Sequence, residues 1–140
     1  MNSCPSKLPL ENFYWRVKKH PNKIYFTQPT GNGKVKEYTW AEVEKEAKVL
    51  AAYIRSLNLS EKSHIAILSK NCAFWIITDL AIWMSGNISI PLYPTLNKDS
   101  VQQILEHSQS KLLFVGKLDD WQQMKPGIPA NVPMIATPLS

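Results

Sequence analysis

Three short apolar runs, HIAIL at His64 to Leu68, ISIPL at Ile88 to Leu92 and KLLFV at Lys111 to Val115, are separated by stretches of helical length. Strand and helix in alternation are the pattern of a parallel sheet, because parallel neighbours need a long connection where antiparallel ones need only a turn. None of the runs alternates polar with apolar residues, which predicts burial on both faces. Ala73 to Ser85 and Lys98 to His107 are long enough to be the crossovers, and right-handed connections would lay them over the sheet. Met134 to Ala136 is a candidate fourth strand. The expected core is therefore α/β, part of a doubly wound, mainly parallel sheet with crossover helices.

The preceding residues predict an N-terminal helix and a β-hairpin. Leu10, Phe13, Tyr14 and Val17 have the three-and-four spacing of an amphipathic helix over Leu8 to His20, and Pro21 closes it. Lys23 to Gln28 and Lys34 to Tyr38 are β-prone runs separated by Pro29, Thr30, Gly31, Asn32 and Gly33. Thr39 then opens a helix with a capping box, its hydroxyl placed for the Glu42 amide and the Glu42 carboxylate for its own. Trp40, Val43, Ala47, Leu50, Ala51 and Ile54 form the apolar face of that helix, while Glu42, Glu44 and Glu46 alternate with lysines on a solvated one. The resulting division is a helix over 1–22, a hairpin over 23–39, an α/β core over 40–116 and a connecting segment with a candidate strand over 117–140.

Several function classes fall to composition and spacing. The formal charge is +5, but only Arg16 and Arg55 among the 16 basic residues are arginine, and the lysines are scattered. Sequence-reading nucleic-acid sites use arginine forks and aromatic platforms, so dispersed lysine reads as solubility and no nucleic-acid partner is expected. Cys4 and Cys72 have neither paired spacing nor further ligands, so neither a disulfide framework nor a metal site is expected. No apolar signal-peptide core follows the first lysine, and a cytoplasmic location is expected. Asp79, Gly86 and Asn87 break the apolar stretch from Cys72 to Leu92 into a helix, a stop and a strand rather than a membrane span. The cluster Gly31, Gly33, Lys34 has one residue between its glycines, and Val35 follows the lysine, so a turn is predicted rather than a phosphate loop.

The helix from Ala73 carries apolar residues nearly all round, which demands cover beyond the sheet itself. Two sources are open: the remainder of a larger body, or a homodimer formed through an exposed apolar patch. The proline-rich stretch KPGIPANVPMIATPLS reads as connection and favours the first, an incomplete N-terminal subdomain.

In order along the chain stand YTWAEVEKEA at Tyr38 to Ala47, the His64 to Leu68 strand with SKNCAFW behind it, SGNISIPLYPTL at Ser85 to Leu96, and ILEHSQSKLLFV at Ile104 to Val115. This series resembles the N-terminal region of AMP-forming acyl-CoA synthetases, the long-chain fatty acid branch above all, over roughly residues 9 to 116. PLYPT at Pro91 to Thr95 is its most specific part. Lys70, Cys72 and Phe74 depart from the Glu, Arg and Glu that such proteins often carry around the positions of Asn71 and Trp75. The resemblance implies a parent enzyme that joins a fatty acid to coenzyme A through an acyl-adenylate, using ATP and Mg2+. It also implies that the catalytic groups sit in a Thr-Gly-x-Pro-Lys-Gly loop, a Tyr-Gly-x-Thr-Glu segment and a lysine-bearing C-terminal domain, none of which occurs here. The segment itself is then a scaffold without catalytic, cofactor-binding or metal residues. Its partner is the rest of the same chain, and any membrane association belongs to the parent. Another adenylate-forming enzyme and a free-standing interaction module remain the alternatives.

Loops at the carboxyl ends of parallel strands are where α/β sheets bind ligands, which makes Tyr93 and Thr95 the candidates for contact with a substrate path. The competing reading has Pro91 and Pro94 fix a turn, Tyr93 pack, and Asn97 cap the helix at Lys98. His64 and His107 are expected to be structural, one opening a strand and the other ending a helix.

Overall fold

Helix α1 spans Pro9–Lys19, with proline in the first turn, where its missing N–H would find no helical partner anyway. Cys4 lies outside the residues described by the computed structural model, which are 7–138 and 140. Strands β1 (Ile24–Gly31) and β2 (Lys34–Thr39) form the antiparallel hairpin. Its connection is shorter than the five residues expected, because pairing continues through Pro29 and Val35 to Gly31 and Lys34. Only Asn32 and Gly33 turn the chain, with φ of 54° and 73°. Positive φ at both central residues gives a turn whose twist matches that of the strands, and Asn-Gly is suited to it.

Helix α2 (Trp40–Ser56) starts at Thr39, whose hydroxyl accepts from the Glu42 amide at 3.2 Å. One half of the expected capping box therefore forms. Val43, Ala47, Ala51 and Ile54 are buried, and Glu44 and Glu46 lie in surface ion pairs with Lys48 and Lys36.

The core sheet contains β3 (His64–Leu68), β4 (Ile88–Leu92), β5 (Leu112–Val115) and β6 (Met134–Ala136), all parallel, in the order β4-β3-β5-β6. Helix α3 (Ala73–Met84) crosses from β3 to β4, and helix α4 (Lys98–Ser108) crosses from β4 to β5. The two lie on opposite faces. Ile65, Ile67, Leu112 and Phe114 pack against Ala51 and Ile54 of α2 and Ala81 and Ile82 of α3. Ala66, Leu68, Leu92, Leu113 and Val115 pack against Val101 and Leu105 of α4. A short helix α5 (Trp121–Met124) and a 3-10 turn follow, so 117–140 folds onto the core as well as connecting, and the candidate strand is β6.

Two expectations change. Strands β3 and β5 are buried on both faces, but β4 is an edge strand, with Ile88 41% exposed and Pro91 exposed. The Ile88 amide donates to Ser63 O, so by the two-residue period the backbone nitrogens of Ser89 and Pro91 point to the open edge. Pro91 has no N–H to offer a further strand, which is why an edge tolerates it. The second change concerns α3, none of whose residues is more than partly exposed. Much of its cover comes from this chain: Phe13, Val17, Tyr38, Val43 and Ala47 close over Ala73, Ile77 and Leu80.

The N-terminus of α3 is held from the hairpin. Cys72 offers no side-chain cap, and the Ala73 amide donates instead to Gln28 Oε1 at 2.7 Å. Gln28 is buried, and its own amide donates to Pro29 O at 2.8 Å.

Candidate functional site

A strand order of β4-β3-β5-β6 reverses its direction of growth between β3 and β5, and open α/β sheets bind ligands outside the carboxyl ends at such a point. Here that point is zipped. Beyond the last strand pair, the Gly116 amide donates to Leu68 O at 3.0 Å, the Lys70 amide to Lys117 O at 2.8 Å and the Lys117 amide to Ser69 Oγ at 3.1 Å. A Cβ on residue 116 would sit 2.6 Å from Ser69 Cβ, so glycine is what allows the approach. The ion pair Lys70–Asp119 lies across the same seam.

The openings at this end of the sheet lie to the β4 side. Tyr93 enters a cleft of about 250 Å³ with Ser69, Asn71, Trp75 and Pro91. Thr95 enters a separate cleft of about 500 Å³ with Lys98, Asp120 and Gln123. The two candidate residues are thus not brought together. Tyr93 is 76% exposed, so its ring does not pack as the competing reading has it. Of the rest of that reading, Pro91 lies inside β4 and only Pro94 stands in the turn, while Asn97 Oδ1 accepts from the Ser100 amide at 2.8 Å and caps α4 as expected. Both clefts offer hydroxyl and amide groups for binding, and the Thr95 cleft adds the Lys98 ammonium and the Asp120 carboxylate, but among the described residues no three His, Cys, Asp or Glu side chains converge to hold a metal ion.

His64 Nδ1 lies 2.6 Å from Ser108 O and ties the start of β3 to the end of α4, while His107 sits in the last turn of α4. His64 thus opens a strand and His107 ends a helix, the positions expected of them. Gly31 and Gly33 serve the hairpin turn.

Asp79 is the polar residue whose setting the sequence does not reveal. It lines a cleft of about 480 Å³ between α1, the hairpin and α3, which shares Trp75 with the Tyr93 cleft, and burial raises its carboxyl above the usual range. The Ser89 hydroxyl acts in the opposite direction. That hydroxyl is buried beside the carboxyl, and a side-chain hydrogen bond from it favours the ionised form without outweighing burial. Burial also raises the Tyr25 hydroxyl in the same cleft. A lone acid within an otherwise apolar helix was the available signal; as a sequence it reads only as an interruption.

Residues 13–137 match the family model described as AMP-binding enzyme. Long chain acyl-CoA synthetase 2 of Arabidopsis thaliana is 33% identical over 111 residues, 76% of this chain and 17% of that protein. A linear gramicidin synthase of Brevibacillus parabrevis is 28% identical over 109 residues, 78% of this chain and 2% of that protein. Among solved structures, fatty acyl-adenylate ligase from L. pneumophila in complex with acyl adenylate and pyrophosphate superposes with a TM-score of 0.74 at 21% identity, over 91% of this chain and 22% of that one. IdnL1 superposes with a TM-score of 0.81 at 16% identity, over 96% of this chain and 26% of that one. The chain spans about a sixth of the length of the curated synthetases it matches. A family-model match over residues 13–137, with 33% identity to a long chain acyl-CoA synthetase across 76% of this chain, shows that the chain belongs to the AMP-binding enzyme family, whose N-terminal region it carries.

Proposed function

We propose that this chain is the N-terminal scaffold of a long-chain fatty acid CoA ligase, an enzyme that converts ATP, a fatty acid and coenzyme A into acyl-CoA, AMP and pyrophosphate. The observation that carries the reading is the 33% identity to a long chain acyl-CoA synthetase over 111 residues, supported by PLYPT at Pro91 to Thr95. In this reading residues 1–140 are the first part of the adenylation domain, and ATP, Mg2+ and coenzyme A are held by parts of the enzyme beyond them. Its location is cytoplasmic.

The physical role is positional. Adenylation turns a poor acyl donor into a mixed anhydride with a good leaving group, and its transition state needs charged groups held in fixed places. The zipped β3–β5 seam supplies a rigid base for loops that carry such groups, while Tyr93 and Thr95, on the loop after β4, border the acyl path. A second reading, a peptide-synthetase-like adenylation domain, draws on the 28% identity to the gramicidin synthase.

The gene is read downstream of the Ser140 codon, and the encoded protein is assayed for AMP and acyl-CoA formation with long-chain fatty acids and with amino acids. A Thr-Gly-x-Pro-Lys-Gly loop together with fatty-acid-dependent AMP is the expected result. Amino-acid-dependent AMP without a fatty-acid response moves the chain to the second reading. A stop codon with no such loop overturns the scaffold role.

A further inference from the structure

The hairpin turns on Asn32 and Gly33 alone, and both are exposed. A Cβ built on Gly33 would meet no atom within 4 Å, so the backbone of this residue is open to approach from all sides. The backbone nitrogen that follows an asparagine closes a five-membered ring when it reaches the side-chain amide carbon, and a glycine leaves that nitrogen free of crowding by a side chain. Asn58 is the internal comparison. It too is exposed with φ of 54°, the value at Asn32, but Leu59 follows it.

Forming the ring requires the turn to rotate out of its native conformation. The hairpin is a two-stranded sheet whose far end stands in solvent, so such rotation disturbs only the Gly31–Lys34 and Pro29–Val35 pairs. That is a local opening rather than global unfolding. We propose that Asn32 is a site of spontaneous covalent modification, converted to isoaspartate by way of the Gly33 nitrogen, and that the change loosens the hold of the hairpin on α3.

The Gly33 nitrogen bonds to Asn32 Cγ, the bond from Cγ to the side-chain nitrogen breaks, and that nitrogen leaves as ammonia with the proton from the Gly33 amide. Water then opens the cyclic imide. Attack on the side-chain carbonyl gives aspartate, and attack on the backbone carbonyl gives isoaspartate, whose main chain runs through the former side chain and is one atom longer. Nothing is oxidised or reduced, and the formal charge of +5 falls by one. A two-residue connection matches the twist of its strands only with both residues in their positive-φ conformation, and an added backbone atom removes that match. The pairs at risk adjoin Gln28, which pairs with Lys36 and whose side chain accepts from the buried Ala73 amide at 2.7 Å. The inference does not depend on the acyl substrate proposed above.

The 140-residue chain is incubated in buffer without denaturant, and its peptides are mapped by mass spectrometry with fragmentation that separates isoaspartate from aspartate. The Asn32 peptide is expected to change from amide to acid several-fold faster than the Asn58 peptide, with isoaspartate among the products. The modified chain, isolated by ion exchange, is expected to unfold at a lower urea concentration than the fresh chain. Asn32→Gly keeps a residue suited to positive φ and removes the side-chain amide, so this variant should hold a constant urea midpoint through the same incubation. Modification at Asn32 no faster than at Asn58 overturns the inference. An isoaspartate form with an unchanged midpoint, or an equal loss in the incubated N32G chain, overturns the link to α3.

Discussion

Gln28→Leu should destabilise the chain by about 2 kcal/mol, a large effect for a polar residue on a hairpin. Gln28 Oε1 is the acceptor for the Ala73 amide at 2.7 Å, in a buried setting, at the start of a helix whose own N-cap residue supplies nothing. Leucine keeps most of the volume but cannot accept. The Ala73 N–H would then be left unsatisfied, and burying an unpaired donor costs about 1–3 kcal/mol. Two exposed caps in the same protein provide the comparison. Thr39 Oγ1 and Asn97 Oδ1 accept from Glu42 and Ser100 where water can substitute, so T39A and N97A should each lose only about 1 kcal/mol.

Urea denaturation followed by tryptophan fluorescence reads all three, with unchanged m-values required for the comparison. At this chain length the Q28L loss corresponds to a fall in Tm of roughly 4–10 °C. A Q28L loss no larger than that of N97A would defeat this account, because it would mean that burial of the cap adds nothing. Recovery of stability in Gln28→Glu would fit a cap that retains its acceptor near the positive end of the α3 dipole.

Gly127→Ala places a Cβ on Lys98 O and 2.7 Å from Lys98 C, backbone atoms of the first turn of α4; because backbone cannot swing aside, a loss of about 3 kcal/mol or more is expected in urea, and a loss under about 1 kcal/mol would show that the 3-10 turn is not docked there. Asp79→Asn should stabilise the chain at neutral pH. Burial raises the folded carboxyl above its ordinary value of 3.8, so the folded state holds a proton that the unfolded state has released, and stability falls as pH rises from 3.8 through the folded value. The advantage of D79N should therefore fade as pH is lowered through that window, and an advantage that does not depend on pH would contradict the assignment. Tyr93→Ala should change stability by no more than about 0.5 kcal/mol, since the ring is 76% exposed; a larger loss would show that the ring packs.

Local features were legible because their causes are local. Thr39 and Asn97 cap helices that begin one residue later, and each acts on an amide three residues on. Asn32-Gly33 is the pair that a two-residue hairpin turn prefers, although the broader Pro29 to Gly33 cluster suggests a longer connection. Pro91 inside ISIPL carried the signal of an edge strand, set against a run apolar enough to read as buried. Tyr93 and Thr95 are placed by sequence at the carboxyl end of β4, which is where they stand; that they open on different clefts depends on Trp75 from α3 and Asp120 from the α5 segment, which sequence spacing does not place.

The order of the elements up to β5, the parallel sheet and the family could be read along the chain, because periodicity, capping and turn chemistry act over a few residues and the motif series is linear, whereas α5 and the 3-10 turn lie in what reads only as connection. Which groups meet across the fold was left to tertiary packing. Gln28 caps a helix 45 residues away, Gly116 lets β5 close against Ser69, and a lone Asp79 comes to lie among aromatic rings from α1, the hairpin and α2. The cause is the same in each case: a buried donor, a missing Cβ or a desolvated carboxylate has its consequence set by what stands opposite, and chain distance carries no record of that.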